Sequence, residues 1–199
     1  MRRIGLMGGS FNPIHLAHVR LAREALAGGH ADEIVFLPTG NPPHKREGLA
    51  DKEDRYAMTC LAVAGEARMR VSRAEIDREG TIYTVDTLAL LRGQMPECEF
   101  VYLIGADTLF QLKTWRRIED VIALCAFLVC MRPGEDAKAA YAEAEAWRKR
   151  GAQIRFMDAP LMDTSSTAVR NRVAQGLPLG GMLPPAVEEY IRAHALYGA

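Results

Sequence analysis

Short apolar runs alternate with longer stretches of helical period along the whole chain. The runs Ile4–Met7, Ile34–Leu37, Met69–Ser72, Phe100–Ile104, Phe127–Met131 and Ile154–Met157 have strand length, and each predicts a β-strand. Phe127-Leu128-Val129-Cys130 is unbroken in apolar character, as a strand covered on both faces should be. Between these runs, helical spacing predicts helices over Leu16–Ala27, Lys52–Ala64, Val85–Gln94, Trp115–Leu124, Ala137–Arg150, Thr167–Gln175 and Pro185–Ala195. The alanine-rich, charged stretch Ala137–Arg150 reads as a solvated surface helix. Strand–helix alternation of this kind predicts a doubly wound α/β fold: a mostly parallel, Rossmann-like sheet with helices on both faces. Such sheets bind ligands beyond the carboxyl ends of their strands, where the strand order reverses.

A length of 199 residues suits one domain over 1–199, with a helical part from about residue 160. Hydrophobic residues make up 49% of the chain, enough for a core of useful size. Lys and Arg number 25 against 25 Asp and Glu, so the formal net charge is zero. That balance argues against bulk binding to nucleic acid or an anionic membrane, and leaves room for a local cationic site on a small phosphate ligand. The opening Met1-Arg2-Arg3-Ile4-Gly5-Leu6-Met7 is too short in apolar character for a signal peptide and is broken by Gly8-Gly9-Ser10. No segment has the length of a membrane span. Cys60, Cys98, Cys125 and Cys130 form no C-x-x-C pair and read as reduced thiols, which predicts a cytoplasmic protein with neither disulfide frame nor zinc site.

The most specific string is Gly8-Gly9-Ser10-Phe11-Asn12-Pro13-Ile14-His15-Leu16-Ala17-His18, which follows the first predicted strand and opens the first helix. Two glycines let the backbone turn tightly and approach a ligand closely. A helix start presents unpaired N–H groups and a positive dipole end to an anion. His15 and His18 are three residues apart, so they share one helix face and can donate to phosphate oxygens. Taken alone, a His-x-x-His pair leaves structural and metal-binding roles open. The spacing of Gly5, Gly8 and Gly9 does not match a dinucleotide-binding G-x-G-x-x-G.

The eleven-residue string resembles the G-G-[ST]-F-[DN]-P-[IV]-H-x-G-H signature of the adenylyltransferase branch of the nucleotidyltransferase superfamily. Other segments resemble the nicotinate mononucleotide adenylyltransferase family in particular. These are Pro38-Thr39-Gly40-Asn41-Pro42-Pro43-His44-Lys45, Tyr83-Thr84-Val85-Asp86-Thr87-Leu88, Ile104-Gly105-Ala106-Asp107 followed by Trp115, Ser165-Ser166-Thr167-Ala168-Val169-Arg170, and Leu183-Pro184-Pro185-Ala186-Val187 with Tyr190-Ile191. The resemblance covers nearly the whole chain. Two positions depart from the pattern: Ala17 stands where the signature has Gly, and Thr164 where the family often has Ile.

The resemblance implies transfer of AMP from ATP to nicotinic acid mononucleotide, a step of NAD biosynthesis. It implies ATP and a pyridine mononucleotide as binding partners, and Mg2+ accompanying ATP with no dedicated protein metal site. It assigns His15 and His18 to the triphosphate, with Gly8, Gly9, Ser10 and Phe11 as loop contacts. Arg170, inside a helix start, offers a guanidinium fork that matches phosphate oxygens. The hydroxyls of Ser165, Ser166 and Thr167 can either cap that helix or bind phosphate. Lys45 can close over the polyphosphate or stay a solvated loop lysine. Asp107, after Gly105, can accept from ribose hydroxyls or cap the next helix. Trp115 read alone is a core residue; its family position implies stacking on the pyridine ring. Thr84 opens a helix whose N–H groups can hold the nicotinate carboxylate, and Arg116 adds positive charge there if it points inward. Asn41 belongs to the same mononucleotide set by its place in the second loop. Two alternatives stand: a sister enzyme using nicotinamide mononucleotide or phosphopantetheine, and a nucleotide sensor that binds without turnover. Oligomeric state is left open, a homodimer included.

Overall fold

The computed structural model describes residues 1–41, 48–132, 134–158 and 164–199. In chain order the elements are β1 (Arg2–Gly9), α1 (Leu16–Ala27), β2 (Glu33–Pro38), α2 (Lys52–Val63), β3 (Met69–Val71), α3 (Thr84–Gln94) and β4 (Cys98–Gly105). Then follow α4 (Ala106–Gln111), a 3₁₀ turn at Leu112–Thr114, α5 (Ile118–Leu124), β5 (Ala126–Met131), α6 (Ala137–Lys149) and β6 (Ile154–Asp158). The chain closes with α7 (Ser166–Ala174), α8 (Pro185–Ala193) and a 3₁₀ turn at Leu196–Gly198.

All six strands join one sheet in the order β3-β2-β1-β4-β5-β6. The pairs β1–β4, β4–β5 and β5–β6 are parallel, with Leu6 opposite Tyr102, Leu103 opposite Leu128 and Val129 opposite Phe156. An order that runs outward in both directions from β1 is the doubly wound arrangement the sequence predicts. The apolar runs mark the inner strands most clearly, because a strand covered on both faces has little room for polar residues. All six residues of β2 and five of the six in β5 are buried.

Two elements differ from expectation. The helix predicted over Trp115–Leu124 begins at Ile118, because Trp115 is extended (φ −73°, ψ 136°) and Arg117 is left-handed (φ 51°). A left-handed residue cannot continue a right-handed helix. Helix α4 has no counterpart among the predicted elements, since six residues are too few to show a helical period. The predicted surface helix is amphipathic, burying Ala140, Ala144 and Trp147 along one stripe.

The chain clusters into two compact units. The first comprises Met1–Met7, Arg23–Val35 and Tyr83–Leu161, and its core holds Ile4, Phe100, Phe127 and Leu128. The second comprises Gly8–Ala22, Phe36–Ile82 and Met162–Ala199, and packs Phe36, Met58, Ile76, Val169 and Val187. Asp51 caps α2, Asp136 caps α6 and Ser165 caps α7, each accepting a first-turn N–H, whereas no side chain caps α3. The four cysteines are free thiols. Burial pushes Cys125 and Cys130 up to about 12, so both stay protonated and unreactive at neutral pH. Among the described residues, no helix is long and apolar enough to cross a membrane.

Candidate active site

The second unit carries the Gly8–His18 segment. Gly8 and Gly9 end β1, and Thr39 N–H donates to the Gly9 carbonyl at 2.9 Å. A side chain at Gly9 would come within 3.1 Å of the Phe11 ring, so glycine here lets that ring pack closely over the loop. Phe11 adopts a left-handed backbone (φ 44°), which a bulky residue accepts only when its surroundings over-determine it. They do: its ring is buried, 5.1 Å from the His18 ring edge-on and 5.7 Å from Phe36.

His18 occupies the third position of α1, and its Nδ1 accepts the main-chain N–H of His15 at 3.2 Å. This is one half of a capping box, the bond from the third helical residue back to the N–H before the helix, with imidazole in the usual place of a carboxylate. An Nδ1 that accepts leaves the proton of the neutral ring on Nε2, so Nε2–H is the donor of this ring. The His15 ring stacks on His18 with centroids 3.7 Å apart and 26° between planes. Two imidazoles are thereby fixed against each other at the start of a helix.

Helix α7 is tied to the same segment. Ser165 Oγ accepts from Ala168 N–H at 3.1 Å and so serves as the helix cap. Ser166 Oγ donates to the Pro13 carbonyl at 2.9 Å. Arg170 places Nη1 2.9 Å from the Asn12 carbonyl, with Nη2 3.4 Å from Thr167 Oγ1. Each hydroxyl of the Ser165–Thr167 run therefore has a partner within the protein, and the Arg170 guanidinium lies against the motif loop.

Three residues that the sequence does not single out organise this segment. Arg55 is 1% exposed, and all three of its nitrogens donate to main-chain carbonyls: Nε to Ala50 at 3.0 Å, Nη1 to Ser10 at 2.8 Å and Nη2 to Gly40 at 2.9 Å. Burial lowers its pKa from the usual arginine value, opposed by Tyr197 and Asp51. The chain passes so close at Gly40 that a Cβ would sit 2.2 Å from the Glu75 carbonyl oxygen. Asn12 is buried and spans from its loop to Gly48 and Ala50, donating to the Gly48 carbonyl at 2.8 Å and accepting from Ala50 N–H at 3.0 Å. Tyr197 donates its hydroxyl to Asn12 Oδ1 at 2.8 Å. One of these is visible in principle. Arg55 shares a helix face with Met58, Thr59 and Val63, and an arginine on an apolar stripe signals a structural charge.

The first unit holds the other set. Gly105 takes the cap position of α4, and Asp107 lies in its first turn. The exposed Asp107 carboxylate folds back, its Oδ1 accepting from Thr108 N–H at 2.8 Å. Trp115 is half-buried, with edge-on contacts to Tyr102 (5.8 Å) and Phe127 (6.2 Å). Arg116 is exposed and lies over the Tyr83 ring at 4.5 Å, beside Thr84, the first residue of α3. Asn41 is exposed, and Lys45 lies outside the described residues.

The arrangement offers oriented cationic and N–H donors at two helix starts, which suits a phosphate-rich ligand better than nucleophilic or redox chemistry. A cytidylyltransferase-like family model matches residues 6–172. A Saccharopolyspora erythraea protein named "Probable nicotinate-nucleotide adenylyltransferase" is 41% identical over 197 residues, covering 98% of this chain and 90% of its own. A protein of the same name from Neisseria meningitidis serogroup B is 40% identical over 201 residues, covering 99% of both. Among solved structures, nicotinic acid mononucleotide adenylyltransferase from Plasmodium falciparum, complexed with NaAD, superposes with a TM-score of 0.81 at 18% identity over 99% of this chain and 98% of its own, a likeness of fold. With a family model over most of its length and end-to-end relatives two-fifths identical, the chain belongs to the cytidylyltransferase-like family and to its nicotinate-nucleotide adenylyltransferases.

Proposed function

We propose that this chain transfers AMP from ATP to nicotinic acid mononucleotide, giving nicotinic acid adenine dinucleotide and pyrophosphate, a cytoplasmic step of NAD biosynthesis. A phosphate oxygen of the mononucleotide forms a bond to the α-phosphorus of ATP. The bond from that phosphorus to the bridging oxygen breaks, and its electron pair leaves with pyrophosphate. The nucleophile is already an anion at neutral pH, so the protein's task is alignment and charge stabilisation rather than proton removal.

The observation that carries this reading is the His18 ring, held by its Nδ1 so that Nε2–H is the donor, on the segment that Arg170 also grips. His15, His18 and Arg170 stabilise the triphosphate, and the Gly8–Phe11 loop supplies main-chain contacts. Ser165, Ser166 and Thr167 line that subsite, with Lys45 from the second loop. Gly105 lets the Asp107 carboxylate fold in to accept from ribose hydroxyls. Trp115 stacks on the pyridine ring, and Thr84, Arg116 and Asn41 hold the rest of the mononucleotide. Mg2+ enters with ATP, whose phosphates supply most of its ligands.

Pyrophosphate release is the direct test. It should require ATP, Mg2+ and nicotinic acid mononucleotide together. ATP binding without release, across nicotinate, nicotinamide and phosphopantetheine substrates, would replace the enzyme with a nucleotide sensor.

A further inference from the structure

Tyr197 stands in left-handed backbone (φ 61°), next but one to Ala195, which is left-handed as well (φ 48°). Side chains rarely adopt that conformation without a compensating contact. The contact here is the hydroxyl, which donates to Asn12 Oδ1 at 2.8 Å. That oxygen also accepts from Ala50 N–H, so both of its lone pairs are in use, and the Asn12 amide nitrogen donates to Gly48. The carboxamide is thus fixed in one orientation. The main-chain carbonyl of the same residue accepts from Arg170, and the Ser10 carbonyl two residues earlier accepts from Arg55. Burial pushes the Tyr197 hydroxyl well above the usual tyrosine range, and the nearby Arg170 and Arg55 only partly offset this. The group is therefore a permanent donor at working pH.

We infer that Tyr197 is a positioning residue for the ATP subsite, acting through Asn12 on the Ser10–Asn12 backbone and on the carbonyl that Arg170 grips. A peptide carbonyl turned toward Arg55 or Arg170 fixes the plane of its peptide. At Ser10–Phe11 that plane also sets where the Phe11 N–H points, because the two groups of a trans peptide are opposed. Loosening Asn12 releases one corner of this frame. Small misplacements of substrate-positioning groups cost rate steeply, on the order of 100-fold per ångström. The effect should fall on ATP, because the two groups that the Asn12 frame orients most directly, the Ser10–Phe11 peptide and the Arg170 guanidinium, are both assigned to the triphosphate. This inference rests on the adenylyl-transfer reading.

The test is Tyr197→Phe, which deletes one oxygen and keeps the ring. With kinetics measured well below the melting midpoint, kcat/KM for ATP should fall by about tenfold or more, while KM for the mononucleotide moves by less than about twofold. Titration with a non-hydrolysable ATP analogue should show weakened binding by the variant. A lowered midpoint with unchanged ATP kinetics would make Tyr197 a structural strut and overturn the inference, as would equal losses for both substrates. If the wild-type protein releases no pyrophosphate, it is the adenylyl-transfer reading that fails. The analogue titration then decides this inference separately: weaker binding by Tyr197→Phe supports it, and equal binding overturns it.

Discussion

At the scale of single residues, His18 does two jobs with one ring. Its Nδ1 completes the start of α1 and its Nε2–H is the donor proposed for phosphate. The two roles predict separable consequences. His18→Ala should lower kcat by roughly 100-fold or more, the scale for loss of one preorganised donor. The lost cap contact should cost about 1 kcal/mol, a drop of about 2–4 °C in the midpoint of a chain this size. Steady-state kinetics and a thermal melt on the same preparation check both figures, and near-normal turnover in a folded variant would remove His18 from the chemistry. The eleven-residue string makes His15 and His18 legible in the sequence itself. Asn12 stands in the same string without showing its function, because its four hydrogen bonds run to Gly48, Ala50, Arg170 and Tyr197, distant in sequence. Spacing rules see neighbours at three and four residues and are blind to such closures.

Elements set where these residues can act. The apolar runs predict all six strands among the described residues, most strongly β2 and β5, which are buried on both faces, whereas the edge strands β3 and β6 each expose a residue between apolar ones. They miss α4, whose six residues carry Asp107 and follow Gly105 directly. A Cβ at Gly105 would lie 2.5 Å from Asp107 Oδ1, so Gly105→Ala must push the carboxylate away while leaving α4 intact. KM for ATP should then rise by about tenfold, matched by Asp107→Asn, with little change in melting midpoint. An unchanged KM in both variants would assign Asp107 to its contact with Thr108 alone. Helix α2 makes a different contribution. Its sequence is that of an ordinary amphipathic helix, yet it delivers a buried guanidinium that ties Ser10, Gly40 and Ala50 together. Arg55→Met keeps most of the volume and removes three charged hydrogen bonds, leaving carbonyls without donors. Urea unfolding should show a loss of about 3 kcal/mol or more; a loss below about 1 kcal/mol would mean that water satisfies those carbonyls equally well.

For the molecule as a whole, zero net charge leaves specificity to local geometry, and the identity of the mononucleotide is the central claim. Tyr83 opens α3 without a side-chain cap, and Arg116 lies over its ring. An uncapped helix start beside a guanidinium favours a carboxylate and leaves the NH₂ of a carboxamide facing donors. Asp86, half-buried in the first turn of α3, works against this and sets a limit on the preference. Thr84 and Arg116 are candidates from sequence, but the contact of Arg116 with the Tyr83 ring, more than thirty positions away, leaves no mark in local spacing. The decisive measurement is kcat/KM for nicotinic acid mononucleotide and for nicotinamide mononucleotide, under identical ATP and Mg2+ conditions. The acid should be favoured by at least about tenfold, which requires only ~1.4 kcal/mol of difference in transition-state binding; equal efficiencies, or a preference for the amide, would contradict the account.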